Sequence, residues 1–262
     1  MAILVTGGGG MTSKAMAIQL KAAGIPFLVG STRGANASAP GIDAVKFDWT
    51  DASTFSLPFQ HSFPNGEKIT AVYIVPGPLA DPGPAINAFV DYAMKEQGVK
   101  RFVVCAGGST KKGDSRIGAV WAHLEDVGAE YLVLRPTWFI DNYLAWFLPP
   151  LKNESKIYTC SGDATMAFVS AEDIAALAIK GLTSVKPFNC DFAVHGPELV
   201  THDQLAVAKM MEIGFPAEAS KFAAYMEANV WDKEWDDTTA KVTGKKLVTC
   251  DEFIEKHKAA WL

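Results

Sequence analysis

The first 30 residues follow a strand, glycine turn, helix and strand pattern, and this feature constrains the fold more than any other. An apolar run at residues 2–6 leads into four glycines at residues 7–10. A helix-compatible segment then extends to Gly24, and a second apolar run follows at residues 26–30. A unit of this kind, with glycines where the strand meets the helix, is typical of dinucleotide-binding folds.

The glycine turn has the residue types that a pyrophosphate site requires. Gly7 permits a tight turn, and Gly10 lets the backbone approach a phosphate closely. Ser13 is small enough for the helix to pack closely on the strand. The free amides and the positive dipole end of the helix N-terminus attract an anion. Four consecutive glycines are also compatible with a flexible loop, so the prediction depends on the strands and the helix around them.

The end of the second strand indicates which dinucleotide is preferred. An NAD-preferring unit carries Asp or Glu there, about 20 residues after the glycines. Here residues 29–33 contain no carboxylate that would repel a 2′-phosphate, and Arg33, with Ser31 and Thr32, offers donors to bind one. The sequence therefore predicts NADP(H) as cofactor. The alternative is that Arg33 is an ordinary exposed loop arginine.

Further apolar runs alternate with helical patterns through the first half of the chain. With 262 residues, of which 49% are hydrophobic, the chain is long enough for one large α/β domain with a small appendage. The runs are nearly continuous in apolar residues, as in parallel strands that helices cover on both faces. We predict a doubly wound parallel sheet of the Rossmann type in residues 1–150 and a small C-terminal substrate-binding lobe in residues 151–262. The predicted strands are residues 2–6, 27–30, 44–47, 71–75, 101–106 and 131–134, and the later helices are residues 171–182, 202–212 and 251–261.

Charge, hydropathy and cysteine spacing exclude several classes of protein. The 29 acidic and 24 basic residues give a net charge of -5, which argues against nucleic acid as a partner. The apolar runs are shorter than the roughly 18–20 residues of a membrane span. Four widely separated cysteines predict neither a disulfide framework nor a metal site. The pattern of the first residues predicts a strand and does not resemble a targeting signal, so we expect a cytoplasmic chain. The oligomeric state is left open.

Short motifs spread over the whole chain carry a resemblance to a known family. The motifs are Phe47-Asp48-Trp49 and residues 98–103, 134–142 and 168–175, with residues 195–204 and 242–244 near the end. The first four resemble the NmrA-like branch of the atypical short-chain dehydrogenases. The last two resemble the fungal ergot-alkaloid reductases within that branch, the festuclavine and agroclavine dehydrogenases. This resemblance implies NADPH-dependent reduction of an iminium carbon in an indole alkaloid, with a small aromatic molecule as substrate.

The resemblance also implies which residues contact the cofactor. All of them lie at or just after the carboxyl ends of predicted strands, where an open α/β sheet places its ligands. The implied contacts are Gly7, Gly10, Met11 and Thr12 at the pyrophosphate, Ser31 and Arg33 at the 2′-phosphate, Asp48 and Trp49 beside the adenine, and Val75, Pro76, Gly77, Ala106 and Gly107 on the ribose and nicotinamide side.

The chain lacks the proton-donating pair of carbonyl-reducing short-chain dehydrogenases. That pair has the spacing Tyr-x-x-x-Lys, and none of the six tyrosines has a lysine four residues later. Reduction of ordinary ketones is therefore disfavoured. An iminium ion already carries a positive charge, so its reduction gives a neutral amine without a proton donor.

Five side chains are candidates for catalysis or substrate binding, each with a structural alternative. His123 lies on the helix after the fifth strand, where it either approaches the nicotinamide or packs between helix and sheet. Asp141 either offsets the charge of a cationic substrate or anchors its loop. Trp138, Tyr143 and Trp146 either stack on an indole or belong to the core.

Three functions are compatible with these residues. The first is an NADPH-dependent imine or iminium reductase of alkaloid biosynthesis. The second is a cyclase that keeps the nucleotide as a scaffold and closes a ring on an iminium ion. The third is a non-catalytic NADP-sensing regulator, against which the aromatic residues at 138–147 argue mildly.

Overall fold

The computed structural model describes residues 1–37, 41–154, 164–202 and 235–261. In these segments the strands are β1 Ala2–Val5, β2 Phe27–Ser31, β3 Ala44–Lys46, β4 Ile69–Ile74, β5 Arg101–Cys105, β6 Glu130–Pro136 and β7 Cys190–Val194. The α-helices are α1 Met11–Ala22, α2 Gly83–Gln97, α3 Ile117–Asp126, α4 Leu148–Glu154, α5 Ala171–Thr183, α6 Thr238–Thr243, α7 Cys250–Lys256 and α8 Lys258–Trp261.

The strands form one sheet in the order β3-β2-β1-β4-β5-β6-β7. Each pair from β3 through to β6 is parallel, and the order reverses direction on either side of β1. The predicted doubly wound Rossmann-type sheet is therefore confirmed. In such a sheet the point of reversal lies between β1 and β4, and ligands bind outside the carboxyl ends of the strands there.

The apolar character of the strands follows from their burial. All four residues of β1 are buried, and so are the last four of β4 and of β5. On one face, Phe47 packs edge-on against Trp49 at 4.8 Å and against Phe89 of α2 at 4.9 Å. This aromatic packing fixes the segment after β3, which the resemblance places beside the adenine.

The contacts divide the described chain into two units. Unit 1 comprises Met1–Arg135 and Ile174–Phe192, and unit 2 comprises Pro136–Asp173 and Ala193–Leu262. These bounds differ from a division at residue 150 because α5 and β7 bring the chain back to the sheet. Gly181 of α5 packs so closely that a Cβ there would lie 2.7 Å from Leu132 Cδ2. A substrate-binding role for residues 151–262 stays a prediction.

Unit 2 has an apolar cluster of its own. It is built from the segment after β6, residues 166 and 168, and α7. The predicted C-terminal helix is observed as α7 and α8, which are separated at His257. The helix predicted for residues 202–212 lies outside the described residues after His202. Among the helices that the structure describes, none has the length and apolar character needed to cross a bilayer.

Candidate nucleotide-binding site

The glycine turn between β1 and α1 has a conformation that requires residues without side chains. Gly7 has a φ of +69°, and a Cβ there would lie 2.9 Å from Cβ of Val75. The Gly10 N–H donates to the Gly7 carbonyl at 2.8 Å and closes the turn. Because Gly10 is the N-cap of α1, it has no side chain with which to cap the first-turn amides of Met11 and Thr12. The turn therefore presents backbone amides to an anion.

Buried hydroxyl groups tie this turn to the neighbouring strands. The Ser13 hydroxyl of α1 donates to the Thr6 carbonyl at 2.7 Å. The Thr6 hydroxyl donates to the Tyr73 carbonyl and accepts from the Val75 N–H, both at 2.9 Å. These bonds fix the carboxyl ends of β1 and β4 relative to each other, so the segment that contains Val75 and Pro76 is held beside the glycine turn.

Two cationic side chains lie at the carboxyl ends of β2 and β3. Nη2 of Arg33 lies 3.0 Å from the position that a Cβ on Gly9 would occupy, so the guanidinium lies beside the glycine turn. The Ser31 hydroxyl accepts the Arg33 N–H at 3.2 Å. Lys46, the register partner of Ser31, donates through Nζ to the Thr32 carbonyl at 2.6 Å. Sequence reasoning missed Lys46, although its place at the end of the strand beside β2 was a usable signal.

The segment after β3 is held by local and by long-range bonds. The Asp48 carboxylate accepts the N–H of Thr50 at 2.9 Å and its hydroxyl at 2.7 Å. The bond from the Thr50 N–H is the main reason why the pKa of Asp48 is lowered. Nε1 of Trp49 donates to the Val75 carbonyl at 3.2 Å, and the indole is also the neighbour of Gly77. Trp49 thus joins the loops after β3 and β4.

The loop after β5 brings the last implied cofactor contacts to the same edge of the sheet. The Ala106 N–H donates to the Leu134 carbonyl of β6 at 2.8 Å. The Gly107 N–H donates to the Thr110 hydroxyl at 3.2 Å. Since β5 lies beside β4, every residue that the resemblance implies for the cofactor is found along one edge of unit 1.

His123 makes its contact with a neighbouring helix. Its Nε2 lies 3.0 Å from Oδ1 of Asp91 on α2, and Asp91 also lies 3.6 Å from Nζ of Lys95. Helix α3 starts at Ile117, so His123 lies six residues, or roughly 9 Å, along the helix from its N-terminus. This geometry supports the packing role of His123, and a part in proton transfer stays a prediction.

Asp141 of unit 2 binds the start of a helix. Its Oδ2 accepts the N–H of Ala171, the first residue of α5, at 2.8 Å. Burial raises the pKa of this carboxyl group. The contact supports the anchoring role, because the carboxylate already satisfies one of the amides that a helix N-terminus leaves without an intrahelical partner.

The three aromatic candidates of unit 2 differ in exposure. Tyr143 is buried, and its hydroxyl lies 2.5 Å from Nδ1 of His202. Trp138 meets Trp146 edge-on at a centroid distance of 6.5 Å, and Trp146 is 61% exposed. Trp146 therefore presents ring surface, whereas Trp138 is partly buried against the core of unit 2 and the ring of Tyr143 belongs to that core.

The site in unit 1 has the properties of a dinucleotide site. Its backbone amides and helix N-terminus suit a pyrophosphate, and Arg33 and Lys46 suit a further phosphate at the end of β2. Within the described residues, no group of three or more His, Cys, Asp or Glu side chains is arranged to hold a metal ion.

Comparison with known proteins places the chain among characterised enzymes. It is 34% identical to festuclavine synthase I of Penicillium roqueforti, with all of both chains covered. It is 32% identical to agroclavine dehydrogenase of Claviceps fusiformis, over 100% of this chain and 99% of the relative. No protein-family model matches the chain.

A solved structure with the same fold is the triphenylmethane reductase of Citrobacter sp., which is complexed with NADP(H). It superposes with a TM-score of 0.74 at 17% identity and covers 98% of this chain and 99% of that one. The sequence identities above 30% over full-length chains decide the relationship. The protein belongs to the festuclavine and agroclavine dehydrogenase family of oxidoreductases.

Proposed function

We propose that the protein is an NADPH-dependent reductase of an imine or iminium ion in an indole alkaloid. The observation that carries the proposal is the position of Arg33, whose guanidinium lies beside Gly9 of the glycine turn. Two relatives support the redox chemistry and the alkaloid class, since they are named agroclavine dehydrogenase and festuclavine dehydrogenase. The reductase of the same fold that is complexed with NADP(H) supports the cofactor.

The cofactor would be held along the carboxyl edge of unit 1. The amides from Gly10 to Thr12 would bind the pyrophosphate. Arg33, Lys46 and the Ser31 hydroxyl would bind the 2′-phosphate, because all three lie at the carboxyl ends of the adjacent strands β2 and β3. When bound, NADPH supplies the hydride that adds to the iminium carbon, which gives a neutral amine and NADP⁺.

The absence of a Tyr-x-x-x-Lys pair from the sequence favours an iminium ion over a ketone. A ketone becomes an alkoxide on reduction and needs a proton, which such a pair would donate. An iminium carbon gives an uncharged amine directly, so the chain needs to position its substrate and exclude water but does not need to protonate it.

Trp138 and Trp146 are the side chains that we assign to the substrate. Trp146 presents aromatic surface in unit 2 and the partly buried Trp138 meets it edge-on, and a cationic indole is attracted to such rings by stacking and by the ring quadrupole. We assign Tyr143 to the support of these rings because it is buried and bonded to His202. Asp141 holds α5 and contributes negative charge to unit 2.

The test uses NADPH deuterated at C4 with an indole-bearing imine or iminium ion. We expect deuterium on the former iminium carbon and poor turnover of simple ketones. Product analysis by mass spectrometry and NMR locates the label. A ring-closed product without label and without NADPH consumption would refute the reductase and favour the cyclase. Tight NADPH binding without turnover of any imine would favour the regulator.

A further inference from the structure

A second arginine at the carboxyl edge of unit 1 makes two hydrogen bonds and an ion-pair contact that none of the roles above requires. Arg135 is the penultimate residue of β6. Its Nε and Nη2 lie 2.7 and 2.6 Å from Oδ2 of Asp191 on β7. Its Nη1 donates to the carbonyl of Gly108 at 3.0 Å. One guanidinium therefore joins two strands to the loop after β5.

That loop carries Ala106 and Gly107, which the family resemblance implies for the nicotinamide side of the cofactor. Ala106 is still held by the backbone of β6 at 2.8 Å. Gly107 and Gly108 follow in succession, and glycine gives a backbone more conformational freedom than any other residue. The bond from Arg135 fixes the second of these glycines, so it restricts the part of the loop that has left the sheet.

The shape of the guanidinium explains why arginine is needed at this position. The pair with Asp191 is largely buried, since the side chains are 26% and 27% exposed. A guanidinium presents its donors in fixed directions in one plane, whereas an ammonium group is a point charge. A lysine at position 135 would pair with Asp191 but would not hold the Gly108 carbonyl at the same time.

We propose that Arg135 is a positioning residue for the nicotinamide half of the cofactor. It fixes the Gly108 carbonyl and thereby holds residues 106–110 in the conformation that receives this half. Asp191 acts through Arg135 by aligning its guanidinium. The inference rests on the proposed function, because it requires a dinucleotide bound along the carboxyl edge of unit 1.

The chain contains a matched control at the opposite edge of the sheet. Nε and Nη2 of Arg101 lie 2.8 and 2.6 Å from Oε2 of Glu130, and Nη1 donates to the carbonyl of Ser184. Arg101 and Glu130 are the first residues of β5 and β6. The variant Arg101→Lys therefore removes an equivalent set of bonds without altering the loop after β5.

Calorimetric titration with two ligands tests the proposal. NADPH contains the nicotinamide half, and 2′,5′-ADP lacks it but keeps the phosphate that Arg33 would bind. We expect Arg135→Lys to weaken NADPH binding about tenfold, as for a lost bond to a charged donor, and to leave 2′,5′-ADP binding unchanged. Asp191→Asn should weaken NADPH binding in the same direction by less, and Arg101→Lys should change neither affinity.

The possible results separate this inference from the proposed function. Equal losses for both ligands in Arg135→Lys, or an NADPH affinity equal to that of Arg101→Lys, would overturn the positioning role. Binding of neither ligand to the unaltered protein would refute the proposed function itself. Thermal unfolding of each variant verifies that it is folded, and Asp191→Asn provides the same comparison if Arg135→Lys does not fold.

Discussion

At the scale of single residues, the guanidinium of Arg33 lies beside Gly9 of the glycine turn. A Cβ at position 9 would lie 3.0 Å from Nη2 of Arg33. We expect Arg33→Ala to weaken NADPH binding by about 1.5–3 kcal/mol, the usual loss for a hydrogen bond to a charged group. NADH binding should change little, because NADH lacks the 2′-phosphate. Calorimetry with both nucleotides measures the difference.

Two further variants make this measurement specific. Lys46→Ala should weaken NADPH binding in the same direction, since Lys46 lies at the same strand end. Lys100→Ala removes an exposed cation just before β5, at the opposite edge of the sheet, and should have no effect. Equal affinities of the unaltered protein for NADPH and NADH would contradict the assignment of Arg33.

His123 provides a prediction about catalysis. Because its contact is with Asp91 on α2, we expect His123→Ala to slow turnover only modestly, and Asp91→Asn to do the same. The pH dependence of kcat should keep its shape in both variants. A loss of about 100-fold or more in His123→Ala alone, which is the usual contribution of a general acid or base, would show that the imidazole handles a proton.

The residues that were predictable from the sequence are those whose roles depend on nearby chain. Gly7 and Gly10 form their turn with each other, and Ser31 accepts a bond from Arg33 two residues away. Lys46 and Arg135 were not recognised, because their partners are distant. Lys46 bonds to a residue 14 positions away, and Arg135 bonds to residues 27 and 56 positions away. Such pairs exist only once the sheet has formed.

At the scale of elements, the strands were more predictable than the path of the chain after them. Strands that are buried on both faces consist of continuous apolar residues, so β1, β4 and β5 can be predicted from the sequence. An apolar helix such as α5 has the same pattern whichever sheet or cluster it covers. The return of α5 and β7 to unit 1 was therefore not predictable from periodicity.

Two carboxyl groups meet the start of α5 and give a prediction about pH: Asp173 lies in its first turn, and Asp141 of the segment after β6 bonds to its first residue. Asp173 accepts the Ser170 hydroxyl at 2.8 Å and the Val248 N–H at 3.0 Å, and Asp141 accepts the Ala171 N–H. Burial raises the pKa of both groups. The folded protein then binds more protons than the unfolded chain between about pH 4 and the raised pKa values. Stability from these groups is complete below about pH 4 and falls as the pH rises through that window.

The variant Asp173→Asn tests the direction in which stability changes with pH. It keeps an oxygen that accepts the Val248 N–H but does not titrate, so the stability of the unaltered protein relative to the variant should fall as the pH rises above about 4. Urea unfolding at several pH values measures it. Asp48→Asn is a control for which we expect the opposite dependence of stability on pH. The pKa of Asp48 is lowered, so its contribution is present above the unfolded pKa and is lost as the pH falls. If the difference in stability between the unaltered protein and Asp173→Asn does not change with pH, the prediction is contradicted.

At the scale of the whole molecule, the doubly wound topology brings together the residues that we propose for the nucleotide. The glycine turn, Arg33, Trp49, Val75 and Ala106 follow five different strands, and the parallel order brings all five strand ends to one edge of unit 1. The substrate candidates Trp138 and Trp146 belong to unit 2. The sequence was sufficient to predict that the first set shares one edge of the sheet, because a repeated strand and helix pattern predicts that edge, but the composition of unit 2 depends on distant segments.

NADPH should stabilise the folded molecule by an amount that depends only on its concentration relative to Kd, provided that it binds the folded chain alone. At a free concentration of about 100 times Kd, we expect the free energy of unfolding in urea to rise by about 2.7 kcal/mol.

The variant Gly10→Val should fold but show no such gain in the free energy of unfolding. A Cβ there would lie 3.2 Å from the Gly7 carbonyl, and the valine methyl groups would occupy the place of the pyrophosphate. The matched control is Gly24→Ala at the other end of α1, where a Cβ meets no atom within 4 Å. Since Gly24 has a φ of +65°, this variant should lose some stability yet keep the full gain from NADPH. A gain in Gly10→Val equal to that of the unaltered protein would mean that NADPH binds away from the glycine turn.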